Sequence, residues 1–107
     1  MEHNKIRVGI TVGDPSGIGP AITAQAINRL EGIADFVVIG DKWVFEKNLC
    51  HKKFNFIDLN NVTHRGFSFG KIRAEYGRAS IEYLDKALSL IKKGEIDCLV
   101  TCPASKE

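Results

Sequence analysis

Eight residues, Gly13-Asp14-Pro15-Ser16-Gly17-Ile18-Gly19-Pro20, have the make-up of a ligand-facing turn. Three glycines permit positive φ and close backbone approach. Two prolines fix φ, and a proline is tolerated in a first helical turn. Between a strand and a helix, such a turn aims free backbone N–H groups at one point, which attracts phosphate or carboxylate. A purely structural strand–helix turn accounts for the same residues, and an Asp before Pro, as at Asp14, often caps its own turn. The loop departs from two common phosphate patterns. No Lys-Ser/Thr follows Gly19, as a Walker loop needs, and Ile22 stands where a dinucleotide fingerprint has glycine. A second polar segment, Thr101-Cys102-Pro103-Ala104-Ser105-Lys106, follows an apolar run. Its Lys106 could neutralise a carboxylate or phosphate, or be a solvated surface lysine. Thr101 could bond substrate or the local backbone.

The remaining reactive side chains point to less. Cys50, Cys98 and Cys102 are an odd set without paired spacing, which reads as free thiols in a reducing compartment. Cys98 and Cys102 share a strand face but lack the second pair or nearby histidines that metal ligation wants. His3, His51 and His64 sit among polar neighbours and read as exposed. No metal ligand is assigned in this chain. Lys71, in the long loop, could meet a phosphate but reads rather as solvated, and Trp43 and the phenylalanines read as packing rather than a base-stacking platform, since no basic groove accompanies them.

The 107 residues allow one small domain, 44% hydrophobic and 26% charged. A net charge of +2 with interspersed signs gives no footprint for nucleic acid or an anionic membrane. Apolar runs fall far short of a bilayer span. The polar start, Met1 to Lys5, runs straight into a strand without a signal pattern, so a cytoplasmic location is expected.

The elements that would carry these residues follow from periodicity. Ile6 to Val12 is β-branched and reads as a strand buried on both faces. Ile22, Ala26 and Leu30, with Ile27 alongside, predict the buried face of a helix over Ile22–Leu30 that Gly32 ends. Phe36 to Ile39 is a second strand. Asp41 is placed to N-cap a short helix through Trp43 and Val44 to about Asn48. Phe54 to Ile57 reads as a third strand, and Leu59 to Tyr76 as a long, functional or mobile loop. Arg78 to Lys93 is predicted helical, with Ile81, Leu84, Leu88 and Ile91 as its stripe, Ala87 beside them, and Gly94 as terminator. Ile96 to Cys102 is the last strand, closed by Pro103. Alternating strands and helices predict an α/β fold with a mostly parallel sheet and flanking helices. Ligands of such sheets collect beyond the carboxyl ends of strands, where both polar segments fall.

With those segments in place, the chain resembles the 4-hydroxythreonine-4-phosphate dehydrogenase (PdxA) family. Val12 to Pro20 is similar to its opening signature, and Val38-Ile39-Gly40-Asp41 to its second strand. Gly70-Lys71 with Gly77-Arg78-Ala79-Ser80 resembles its glycine-lysine loop and following helix start. Asp97 to Lys106 resembles its Asp-Ala-Leu-Val-Thr-(small)-Pro-x-x-Lys segment. The order and spacing match over nearly the whole chain. Ala21 stands where the family usually has Glu, and Phe69 where it has Pro.

The resemblance implies an isocitrate/isopropylmalate dehydrogenase-like fold, of which residues 1–107 are an N-terminal fragment: one partial α/β domain of a longer two-domain fold. It implies a homodimer and oxidation, then decarboxylation, of 4-phosphooxy-threonine in vitamin B6 (pyridoxal phosphate) biosynthesis. NAD and a divalent metal (zinc, magnesium or cobalt) are the implied cofactors, with the metal ligands outside this chain. Gly13, Asp14, Gly17 and Ile18 are implied cofactor contacts. Thr101 and Lys106 are candidate substrate contacts, and Lys106 is the one candidate for a catalytic role. The chain alone is expected to be inactive. The alternatives are a paralogue acting on a related phosphorylated four-carbon hydroxy acid, or a non-catalytic nucleotide- or anion-binding module.

Overall fold

Four strands form: β1 (Arg7–Thr11), β2 (Asp35–Gly40), β3 (Asn55–Asp58) and β4 (Cys98–Thr101). Helices α1 (Gly19–Arg29), α2 (Lys42–Phe45) and α3 (Ala74–Lys92) alternate with them. The structure is a computed structural model and describes residues 5–30, 32–48 and 54–102. The element order is the one the periodicity predicts. Lys106, Cys50, His3 and His51 lie outside the described residues.

The strands make one sheet in the order β3-β2-β1-β4, and every pair is parallel. In β1, Ile10 lies opposite Val38 of β2 and Val100 of β4, and Thr11 opposite Ile39 and Thr101. The first two crossovers step from β1 to β2 to β3. The third returns to the far side of β1. Right-handed crossovers therefore put α1 and α2 on one face and α3 on the other. This reversal of direction beside β1 is a topological switch point, where the carboxyl edge of such sheets opens a crevice. The opposite edge is pinned by Arg7 and Asp97. Their side chains pair at 2.9 Å, and the Asp97 carboxylate also accepts the Arg7 backbone N–H at 2.8 Å. The Arg7 side-chain hydrogen bond holds the Asp97 carboxyl down at about 2.

Both long helices bury faces rotated from those predicted, although Ile27 and Ala87, placed beside the predicted faces, are buried as expected. In α1 the buried residues are Gly19, Pro20, Thr23, Ala24 and Ile27, whereas Ile22 and Leu30 are over 40% exposed. Small residues face inward because this helix starts hard against the strand ends. It begins three residues before Ile22, with Pro20 in its first turn, where a missing N–H costs nothing. α3 also starts early, at Ala74, and buries Tyr76, Ala79, Tyr83, Ala87 and Leu90. Ile81, Leu84, Leu88 and Ile91 form a second apolar stripe at the surface, with Ile81 61% and Leu88 47% exposed. Two stripes share one helix, and the tyrosines, large but part-polar, take the inner one. The α3 terminus is as predicted. Gly94 has φ +76, its N–H bonds the Ile91 carbonyl, and the Glu95 N–H bonds Leu90. That double bond pattern needs the left-handed conformation glycine tolerates.

Asp41 precedes α2 but does not cap it with its side chain. Its carboxylate is spent elsewhere. It accepts the Tyr83 hydroxyl at 2.7 Å and the Val62 N–H at 3.0 Å, in a site where Asp41 and Tyr83 are both fully covered. Burial, and then the Asp41 carboxylate, push the Tyr83 phenol far above its ordinary range. The bond ties the end of β2 to α3 and to the long loop between β3 and α3.

A candidate ligand site at the carboxyl edge of the sheet

The glycine-rich loop is a built turn. Gly13 takes φ +73 as the chain leaves the sheet. Asp14 accepts the Ser16 N–H at 2.8 Å through Oδ1, and Gly17 N–H returns to the Asp14 carbonyl at 2.9 Å. Asp14 is buried, and its carboxylate closes its own turn, the structural role its place before Pro15 suggests. Gly19 then lies against the Val12 carbonyl and Cys102, with no room for a Cβ. Thr23 Oγ1 and Cys102 Sγ meet at 3.4 Å, and the Cys102 N–H bonds the Thr11 carbonyl at 3.0 Å. The exits of β1 and β4 are thereby joined, as the switch-point topology requires.

What the loop leaves open is its tip. Gly17 is half-buried and Ile18 is 63% exposed. Ile18 occupies the N-cap position of α1 without a side-chain cap, and no acid stands in the first turn. The first turn of α1, whose amino end carries a partial positive charge, thus holds no acid of its own, the nearby Asp14 carboxylate being engaged by the Ser16 N–H and hydroxyl. Of the predicted residues, Gly13, Asp14, Gly17 and Ile18 share this loop. Thr101 stands exposed at the carboxyl end of the neighbouring strand.

Periodicity gave no hint of a third wall. The loop expected over Leu59 to Tyr76 ends earlier, since α3 begins at Ala74, and its residues 59–73 pack closely and are fastened to the glycine-rich loop. Gly70 N–H bonds the Ser16 carbonyl at 2.7 Å. The single Ser16 hydroxyl proton faces two acceptors, the Lys71 carbonyl at 2.6 Å and Asp14 Oδ1 at 3.0 Å. The loop is stiffened by rings. Trp43 stacks on His64 at 3.9 Å and meets Phe67 at 5.0 Å, and Phe67 also meets Phe69 and Tyr76. His64, expected to stand among polar neighbours, is exposed on one side and stacked on the other. The signals in the sequence were Ser16 beside Asp14 and the Gly70-Lys71 pair. Their mutual contact runs through backbone atoms 54 or 55 residues apart, which no side-chain pattern encodes.

Among the described residues no group of three His, Cys, Asp or Glu side chains could hold a metal ion. None of the described helices is long and apolar enough to cross a membrane.

Comparison with known proteins agrees with this architecture. The family described as "Pyridoxal phosphate biosynthetic protein PdxA" matches residues 10–107. Relatives from Clostridium botulinum (strain Hall), named provisionally as a D-threonate 4-phosphate dehydrogenase, are 30% identical over the whole chain and 39% of their own length. A Fusobacterium nucleatum protein of the same naming is 31% identical over 96% of the chain and 38% of its own. The chain therefore spans about two fifths of the length of these relatives. Among solved structures, a 4-hydroxythreonine-4-phosphate dehydrogenase from Burkholderia phymatum superposes with a TM-score of 0.85 at 23% identity, covering 97% of this chain and 38% of that one. A terephthalate 1,2-cis-dihydrodiol dehydrogenase from Burkholderia xenovorans LB400 superposes equally well, at 26% identity, over 96% of this chain and 35% of its own.

Proposed function

Because the chain belongs to the PdxA family, we propose that it forms the cofactor-side wall of an NAD-dependent dehydrogenase for a phosphorylated four-carbon hydroxy acid. The observation that carries the reading is the site at the switch point. An exposed Ile18 and a helix start with no side-chain cap and no acid in its first turn sit over the joined exits of β1 and β4. The names of the curated relatives favour D-threonate 4-phosphate as substrate. 4-Phosphooxy-threonine, with a role in pyridoxal phosphate synthesis, is the second candidate, favoured by the family description.

In this reading NAD supplies the hydride acceptor for the hydroxyl-bearing carbon. The chain's own residues bind and orient. Ile18 gives an apolar contact to the dinucleotide, and the N–H groups at the start of α1 face its anionic part. Gly13, Asp14 and Gly17 hold the turn that presents Ile18. Thr101 reaches the substrate side from β4, and Lys106, outside the described residues, is kept as the candidate cation on its sequence pattern alone. The described residues do not fit a metal, so no step is assigned to one here, and the divalent ion of this reading takes its ligands from elsewhere. The full dehydrogenase is proposed to be a homodimer in the cytoplasm.

Titration of the purified chain with NAD tests the wall. Saturable binding lost in Ile18→Asp is the expected result. The same chain, supplied with either phosphorylated substrate and magnesium or zinc, is expected to form no NADH by itself. Turnover at the rate of a full-length relative would overturn the assignment of this chain as one wall of a larger site.

A further inference from the structure

We propose that Lys71 and Arg73, converging beside Gly66, form a binding site for the phosphate group of a ligand. The Lys71 ammonium donates to the Gly66 carbonyl at 2.7 Å. Arg73 Nη2 lies 3.1 Å, and Lys71 Nζ 3.8 Å, from the point where a Cβ of Gly66 would stand. The two cations are therefore within about 7 Å of each other, a distance at which like charges repel appreciably. Gly66, at φ +76, is what leaves them this space. Among the described residues one acid pairs with them, Glu75, 3.5 Å from Arg73 Nη1 and already accepting the Thr63 N–H. The stretch from Leu59 to Ala74 contains no Asp or Glu, but it has Arg65, Lys71, Arg73 and His64. Arg73 is further held over the Tyr76 ring at 5.9 Å.

Two cations held together and short of counter-charge are arranged for an anion with several oxygens. A guanidinium and an ammonium can each take a different oxygen of one phosphate. The Lys71 contact to a neutral carbonyl is easily exchanged for a charged one. The pair is also placed for the rest of the molecule. Ser16 fastens Gly70 and the Lys71 backbone to the glycine-rich loop, so the loop bearing Lys71 and Arg73 belongs to the same edge as Ile18. The phosphate could be that of a phosphate monoester or of a dinucleotide. The site itself does not depend on the dehydrogenase reading, which bears only on the carrier.

Backbone NMR of the full chain, titrated with inorganic phosphate against sodium chloride at matched ionic strength, tests it. Saturating shifts at Gly66, Gly70 and Lys71 with phosphate alone are expected, with affinity reduced about ten-fold in Lys71→Gln. Equal shifts around Lys92 and Lys93, or an affinity unchanged in that variant, would overturn the site. The wild-type shift map stands even if a variant misfolds. O-phosphothreonine and NAD are the two further probes, and the one whose affinity depends on Lys71 identifies the carrier. Phosphate binding without NAD binding leaves this site in place and removes the dehydrogenase reading. NAD binding unaffected by Lys71→Gln, together with phosphate binding equally unaffected, does the reverse.

Discussion

Gly19 touches the backbone of Val12 so closely that a Cβ at position 19 would stand 1.8 Å from the Val12 carbonyl oxygen and 3.0 Å from Cys102 Cβ. Neither neighbour can yield cheaply, because one is backbone and the other is held in the sheet. Gly19→Ala is expected to cost about 3 kcal/mol or more in chemical denaturation. It should also weaken NAD binding, by displacing the start of α1.

Gly77 is the opposite case. It lies inside α3, and a Cβ there would meet nothing within 4 Å. Gly77→Ala should raise stability by about 0.5–1 kcal/mol, since the helix loses an entropic burden and gains no clash. Denaturant midpoints of the two alanine variants should move in opposite directions.

The Tyr83–Asp41 bond predicts a pH dependence at the alkaline end. The native phenol titrates far above its ordinary value, chiefly through burial. Stability from this group is complete below about pH 10, where the unfolded phenol titrates. It falls by about 1.4 kcal/mol per pH unit above that, because only the unfolded state loses the proton. Tyr83→Phe should remove that slope. At neutral pH it should cost about 1–3 kcal/mol by leaving one oxygen of the buried Asp41 without its donor.

The Arg7–Asp97 pair predicts the acid end. A native value of about 2 lies below the ordinary 3.8, so its stabilising effect is present above about pH 4 and is lost as pH falls toward 2. Asp97→Asn should flatten the acid-unfolding curve in that window. The difference should shrink in 1 M salt, because both side chains are exposed.

The outer stripe of α3 predicts association. Leu88→Glu should leave folding stability within about 0.5 kcal/mol of the parent, since Leu88 is 47% exposed. It should also lower the sedimentation coefficient of any self-associated form at high concentration.

Much of the fold was legible because β-branched runs and helix terminators are local signals. The strand runs around Ile10, Val38 and Val100, and the stop at Gly94, each announce themselves within a few residues. The inward faces of α1 and α3 were not legible. Apolar periodicity favoured Ile22 and Leu30 over Thr23 and Ala24, although close approach to the strand ends selects small residues. In α3 it favoured Leu84 and Leu88 over Tyr76 and Tyr83, whose hydroxyls hide their large buried bodies. The glycine-rich loop was legible as a turn, and Asp14 as its closing acid. Its fastening to Gly70 and Lys71 was not, because the atoms concerned are largely backbone. The role of Asp41 was read one step too locally. An Asp before a helix suggests a cap, but a buried hydroxyl from Tyr83 and the Val62 N–H compete for it more strongly.

The order of the strands carries a consequence for how the chain is made. β1 precedes the other described strands in the chain and is flanked on both sides in the sheet, by β2 and β4. Its partner on one side arrives within about thirty residues, but β4 follows far later, with Arg7 and Asp97 separated by 90 positions. Until β4 has emerged, one edge of β1 stays unpaired, exposed to any strand that reaches it before its own. Correct pairing of β1 therefore waits on a strand far along the chain.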